Sequence, residues 1–228
     1  MKRAQEQLLR KEKLAAVGQV AAGIAHDFKN ALGVIKGYAE MIAEDEESET
    51  SESAEFARTI AREADRINSM TYEMLEFIRG GDILLAPKAV EVDEFVAQVV
   101  EAIGPIFERR KIRLIVESGA TGQVLVDIDR MIRAIVNIAG NAADVLKEGG
   151  HFTFRTLKAD GRTVLQFEDD GPGIPESIRD SLFEPFVTYG KSHGTGLGMA
   201  LVKNIVEAHG GSIRFDTESG KGTVFSIE

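Results

Sequence analysis

Asn137-Ile138-Ala139-Gly140-Asn141-Ala142-Ala143-Asp144 decides how this sequence is read. It sits inside a run from Met131 to Leu146 in which Ile132, Ile135, Val136, Ala139, Ala143 and Leu146 fall on one face at helical spacing. Asn137 and Asn141 are four residues apart, so on a helix they share a face, with Asp144 one step further along. An amide oxygen is a hard ligand of the kind Mg²⁺ accepts. Taken alone, the pair reads more readily as surface asparagines, because single motifs match by accident.

Two further clusters follow. Asp169-Asp170-Gly171-Pro172-Gly173-Ile174-Pro175 comes after an apolar stretch containing Val164, Leu165 and Phe167. A carboxylate at a strand end, followed by glycines, can accept from an exocyclic amine while flat backbone lies against a ring. The plain alternative is an ordinary turn, which Asp-Gly and Pro-Gly both favour. Gly194-Thr195-Gly196-Leu197-Gly198 opens a helix near Met199. Glycines there let backbone N–H groups approach phosphate oxygens, and a helix N-terminus favours an anion. The loop follows no strand and lacks a Gly-Lys-Ser/Thr ending, so neither the dinucleotide fingerprint nor the phosphate-binding loop of nucleotide hydrolases fits.

Around these clusters the pattern alternates between helix and strand. Phe95 to Phe107 has helix spacing, and Ala200 to Ala208 continues a helix ended by His209-Gly210-Gly211. Ile112–Glu117, Val124–Asp127, Phe152–Leu157, Val164–Glu168, Ser212–Phe215 and Thr223–Ile227 read as strands. Phe152–Leu157 and Val164–Glu168 form a hairpin about Ala159-Asp160-Gly161-Arg162. This predicts an α+β sandwich, one sheet covered by helices.

The N-terminal third differs in composition. Residues 1–79 hold four of the 23 glycines and none of the five prolines, while residues 149–228 hold 13 glycines. Long stretches without proline favour helix. Leu14, Val17, Ala21, Ile24, Phe28, Leu32, Ile35, Ala39 and Ile42 make one apolar stripe, and Phe56, Ile60, Ala64, Ile67, Met70, Met74 and Phe77 a second. Between them lies the acidic stretch Glu44 to Ser51, the tip of a helical hairpin. One hairpin cannot bury its stripe alone, and two packed as a four-helix bundle can, so a homodimer is expected. The expected domains are 1–82, the hairpin, and 88–228, the sandwich, joined near Gly80-Gly81-Asp82 and Pro87.

The chain has 228 residues, 43% hydrophobic and 28% charged, a globular composition. Its formal net charge of −10 argues against coating nucleic acid or an anionic membrane. Cysteine is absent, which excludes disulfides, thiolate metal sites and thiol nucleophiles. No apolar run reaches the ~18 residues of a membrane span, and the polar N-terminus is no signal peptide. A cytoplasmic setting is expected, with the parent protein either soluble or membrane-anchored.

The order Asn137…Asn141, Asp169-x-Gly-x-Gly, Phe183-Glu184-Pro185-Phe186, Gly194-x-Gly-x-Gly and Gly222-Thr223 resembles the ATP-binding domain shared by gyrase, the heat-shock chaperone, mismatch-repair ATPases and sensor histidine kinases. Within that superfamily the Phe-Glu-Pro-Phe element and the hairpin point to histidine kinases. Ala25-His26-Asp27-Phe28-Lys29-Asn30 resembles their phosphoacceptor box. His26 lies beside the stripe positions Ile24 and Phe28, and a neutral imidazole is a nucleophile near neutral pH.

The resemblance implies a role for each residue. ATP and Mg²⁺ are the cofactors. Asn141 holds Mg²⁺ and Asn137 supports the phosphate region. Asp169 takes the adenine amine, with Thr223 assisting, and Gly171 and Gly173 shape the base pocket. Gly194, Gly196 and Gly198 present backbone to the phosphates, and Asp144, Thr195 and Leu197 belong to the same site. Val187 to His193 form a lid in which Lys191 is a phosphate contact or a solvated loop lysine. His26 attacks the γ-phosphate, Asp27 orients its ring, and the phosphoryl group passes to an aspartate of a response regulator. Asp27 and Asn30 fit a pattern that orients water for dephosphorylating the regulator. Residues 3–20 resemble the end of a signalling helix from an upstream sensor domain. In the superfamily's ATP-hydrolysing members a glutamate precedes the metal-binding asparagine by four residues. Asn137 stands there, and an amide is no general base, so little ATP hydrolysis is expected. Two departures stand out: Val145 replaces an adenine-stacking aromatic, and Lys29 a proline or asparagine.

Overall fold

The computed structural model describes residue 28 and residues 32–42, 53–61, 63–64, 67, 71, 84–159, 161–189 and 196–228. The chain divides into two compact units, Met1–Gly80 and Gly81–Glu228. The expected acidic tip at 44–51 and the phosphoacceptor positions His26, Asp27 and Asn30 lie outside the described residues, as do Lys191, Gly194 and Thr195.

In the first unit residues 32–42 are helical (α1), as are residues 53–61 (α2). Leu32 and Ala39 are buried, seven residues apart, and so are Ala57 and Ala64. A second set at the same spacing, Phe28, Ile35 and Ile42, is exposed, together with Phe56, Ile60 and Ile67. Each helix therefore has one covered and one uncovered apolar seam, as the coiled-coil period allows.

The second unit contains β1 (Lys88–Glu91), α3 (Val92–Glu108), β2 (Arg113–Ser118), β3 (Gln123–Val126), α4 (Ile128–Val145), β4 (His151–Ala159), β5 (Arg162–Asp169), the single turn α5 (Glu176–Arg179), α6 (Gly198–Ala208), β6 (Ile213–Glu218) and β7 (Gly222–Ile227). Five strands form one sheet in the order β2-β4-β5-β7-β6, and β1 and β3 make a separate two-stranded ribbon. Only the β2–β4 pair is parallel in the large sheet.

Alternation along the strands sets the core. Phe154, Phe167 and Phe225 are paired across three strands by register, as are Leu165 and Ile227, and with Phe152 they are buried against α3, α4 and α6. The Phe107 and Phe152 rings stack at 4.5 Å, and those of Phe154 and Phe167 at 5.1 Å. On α4 the buried face is Met131, Ala134, Ile135, Ile138, Ala139, Ala142 and Ala143, which leaves Asn137, Asn141 and Asp144 along its flank. The expected sandwich is the observed one, and every expected strand and helix of this unit forms. β1 and α5 are additions. Four residues with one buried side chain, Val90, give β1 too little pattern, and α5 has no buried residue.

Candidate functional site

The site grows from the ends of β5 and β7. Register puts Asp169 opposite Thr223, and Thr223 opposite Thr217 on β6, so three polar side chains line one end of the helix-covered face. Asp169 is only 7% exposed. Its Oδ1 accepts from the Gly171 N–H at 3.0 Å. Burial raises its pKa, and the amides of Gly171 and Thr223 oppose that rise without cancelling it. Thr217 Oγ1 accepts from the Ile174 N–H at 2.9 Å and lies 3.1 Å from Thr223 Oγ1. Thr217 thereby joins the Asp169 turn to β6, a role that sequence alone did not suggest. Its signal is the register of the β6–β7 hairpin.

The glycines of this turn are required by contact. A Cβ on Gly171 would stand 2.7 Å from Asp169 Oδ1 and 3.4 Å from Val145 Cγ2. Gly173 has φ +78°, and a Cβ there would meet the Glu218 backbone. Gly222 has φ +102°, and a Cβ there would overlap the Asp169 carbonyl oxygen. Next to this turn, Asp170 Oδ1 accepts from the His151 N–H and Oδ2 pairs with His151 Nδ1, both at 2.8 Å. Burial alone would raise the Asp170 pKa, but the amide and ring of His151 outweigh it and hold it below the ordinary value.

The other wall is α4 and the start of α6. Asn137 Nδ2 donates to the Arg133 carbonyl at 3.1 Å, and its Oδ1 would stand 2.9 Å from a Cβ on Gly198. Gly198 is therefore the close approach between the asparagine helix and α6. No side chain caps the N-terminus of α6. Gly196, with φ +68°, packs on the backbone of Phe186, whose N–H donates to the Gly196 carbonyl at 2.9 Å. Asp144 is ion-paired with Arg110 at 2.7 Å, so its carboxylate faces a guanidinium. Arg110 is a second residue that the sequence did not single out, because it lies 34 positions away. The turn of Asp169, Gly171 and Gly173 with Thr223, and the flank of Asn137, Asn141, Leu197 and Gly198, thus stand within one unit. His26, Asp27, Asn30, Lys191, Gly194 and Thr195 lie outside the described residues.

The residues present suit an Mg²⁺ carried in by phosphates. Mg²⁺ takes one or two protein oxygens and fills its octahedron with phosphate oxygens and water. Among the described residues no cluster of three acids or histidines could hold a metal alone, and Asn141 offers one amide oxygen.

Residues 126–228 match the family described as histidine kinase-, DNA gyrase B- and HSP90-like ATPase, and residues 16–82 match the His Kinase A (phospho-acceptor) domain. The chain belongs to the sensor histidine kinases. Both domains of the kinase core are present, in the order the motifs implied. The sensor histidine kinase ZraS of Salmonella typhi is 35% identical over 220 residues, covering 96% of this chain and 46% of that protein. This kinase therefore spans about half the length of such relatives. The full-length kinase ShkA, solved with AMPPNP, superposes with a TM-score of 0.76 at 27% identity, over 92% of this chain and 45% of that one. The kinase ThkA, solved in complex with the response regulator TrrA, has the same fold at a TM-score of 0.64 and 22% identity, over 100% of this chain and 65% of that one. No described helix is long and apolar enough to cross a membrane.

Proposed function

We propose that this kinase core binds Mg-ATP, phosphorylates its own His26 and passes the phosphoryl group to an aspartate of a response regulator. The observation that carries the reading is the buried carboxylate of Asp169. It stands at a sheet end among glycines where any side chain would obstruct, beside the C-terminal end of the helix that bears two asparagines. In this reading Asp169 accepts from the adenine amine and Thr223 assists it. Asn141 would ligate Mg²⁺, which would neutralise phosphate charge, and Asn137 supports the phosphate region through its close approach to Gly198. The nearby Asp144 is neutralised by Arg110.

In the transfer the lone pair of a His26 ring nitrogen forms the N–P bond. The bond between the γ-phosphorus and the bridging oxygen breaks, and ADP leaves with that electron pair. The transition state is loose, so positioning and charge neutralisation supply most of the acceleration. Asp27 accepts a hydrogen bond from the other ring nitrogen and raises the basicity of the attacking one. The amide at position 137 cannot act as a general base for water, so phosphoryl transfer to histidine proceeds with little ATP hydrolysis.

The uncovered seam supports a dimer. Phe28 is 50% exposed, Ile35 47% and Ile42 49%, at heptad steps. A second copy offers a matching seam and completes a four-helix bundle. A regulator partner fits the ThkA–TrrA assembly, and the use of ATP sets the catalytic unit in the cytoplasm.

The test is incubation with γ-labelled ATP and Mg²⁺. Acid-labile label on the wild type and none on His26→Ala is the expected result. Steady release of inorganic phosphate without labelled histidine would overturn the reading. Asn30→Ala should slow dephosphorylation of the regulator, and an unchanged rate would remove Asn30 from that role.

A further inference from the structure

Asp127 joins three segments that lie far apart in sequence. Its Oδ2 accepts from the Ala86 N–H at 2.9 Å, and its Oδ1 accepts from the Arg130 N–H at 3.2 Å as the N-cap of α4. Its own N–H donates to His209 Nε2 at 3.1 Å, and His209 Nδ1 lies 2.8 Å from the Ile205 carbonyl. In these contacts Nε2 accepts and the Nδ1 edge of the ring faces the carbonyl. His209 follows the last turn of α6. Burial alone would raise the Asp127 pKa, but the amides of Ala86 and Arg130 and the nearby charge of Arg130 outweigh it, and the carboxyl lies below its ordinary value.

The consequence concerns α4 and α6. They are packed together, and α6 is pinned at both ends: Asp127 meets His209 at its C-terminus, and Asn137, midway along α4, abuts Gly198 at its N-terminus. The pins are about 16 Å apart along the 11 residues of α6. The pair that presents Asn137, Asn141 and the glycine loop is thus one stiff body. Ala86 is attached to that body through one carboxylate oxygen. It lies four residues beyond the end of the phosphoacceptor match at residue 82, in the chain that leaves the hairpin.

We propose that Asp127 is a positioning residue for phosphoryl transfer: by holding the Ala86 amide it fixes the outgoing chain to the nucleotide-bearing helix pair. Nucleotide affinity is set at the far pin, and the rate of transfer depends on this near one. The inference rests on the kinase reading, and the wild-type arm tests that reading separately.

The experiment uses the whole 228-residue chain and three variants. Ala86→Pro removes the donor and also fixes φ there and restricts Leu85, so the double variant is needed to isolate the bond. Asp127→Asn keeps a good N-cap but leaves one acceptor oxygen for two amides. The third variant combines both. A hydrogen bond to a charged group, exposed as this one is, corresponds to a rate loss of about fivefold when removed. The expected result is that loss in initial labelling by saturating γ-labelled ATP for each single variant, with ATP affinity within about twofold of wild type. The double variant loses no more than the singles, because both remove one bond. Full-rate labelling by Ala86→Pro would overturn the inference. So would single losses that multiply in the double variant, or an affinity loss that accounts for the rate loss. A wild-type chain that takes no label would refute the kinase reading, and this inference with it.

Discussion

Asp169→Asn separates what the carboxylate does for the fold from what it does for the base. The change keeps size and shape and removes one buried negative charge. For stability two effects oppose each other. Burial has raised the Asp169 pKa, so its ionised form costs folding free energy, and the amide removes that cost. Against this, the carboxylate has been accepting from the amides of Gly171 and Thr223, and one asparagine oxygen serves them less well. A net change within about 1 kcal/mol follows, or roughly 2–4 °C in melting temperature for a chain of this size. For the nucleotide nothing compensates. A hydrogen bond to a charged acceptor contributes about 1.5–3 kcal/mol, so ATP affinity should fall by roughly 10- to 150-fold. The asparagine NH₂ can instead donate to a carbonyl, so GTP, which carries an oxygen at that ring position, should gain relative to ATP. Titration of both nucleotides with Mg²⁺, beside a thermal melt, reads all three quantities. An Asp169→Asn chain that binds ATP within threefold of wild type, or keeps its ATP-over-GTP preference, refutes the assignment of Asp169 to the base.

The raised pKa of Asp169 also sets a pH dependence. Base binding needs the ionised form, so ATP affinity should decline as pH falls, at a pH above the ordinary carboxylate range, and Asp169→Asn should flatten that decline. The stability contribution has the opposite sign. A raised folded-state value favours the folded protein below the unfolded-state pKa, and that advantage is lost as pH rises through the folded-state value; wild-type and variant melts across pH would show it. Gly222→Ala puts a Cβ into the Asp169 carbonyl oxygen at φ +102°, and should cost about 3 kcal/mol or more, or roughly 6–12 °C in melting temperature, with loss of nucleotide binding. Val145→Phe adds a ring beside Gly171, where Val145 Cγ2 already lies 3.4 Å from a Cβ position, and should tighten ATP binding about tenfold through base stacking, measured by direct titration.

What the sequence made legible was local. The β4–β5 hairpin follows from alternation on both sides of Asp160-Gly161, and the α4 face from helical spacing between Met131 and Leu146. Asp169, Gly171 and Gly173 could be singled out because a strand-end carboxylate and its glycines are adjacent in the chain. What escaped depends on pairings over long separations. β1 exists because Val90 meets Val124, 34 residues on, and its own four residues give no pattern. Thr217 joins the site because the β6–β7 register sets it opposite Thr223. His209 looked like the end of a helix, and that is where it lies, but its partner Asp127 is 82 residues earlier. Asp144 was grouped with the nucleotide residues on helical position alone, and its partner Arg110 comes from the chain just after α3.

These long-range partners also explain how an acidic chain can hold a polyanion. Eight acids and no lysine or arginine lie between Gly37 and Ala57; setting those eight aside from the 37 leaves 29 acids against 27 bases. Outside that stretch the charge is close to balanced, and at physiological salt charges more than about 8 Å from the phosphates are screened. The acids beside the site then matter most, and Asp144, Asp169 and Asp170 each have a partner. Asp144 faces Arg110, Asp170 faces His151, and Asp169 is held by two backbone amides at the end meant for the base. No described acid of this group is left to oppose the phosphates. On the phosphate side stand the amide-bearing flank of α4 and an α6 N-terminus without an acidic residue in its first turn. In the proposed reading polyphosphate binding requires no basic surface, because Asp144 and Asp170 are paired and Asp169 is assigned to the adenine.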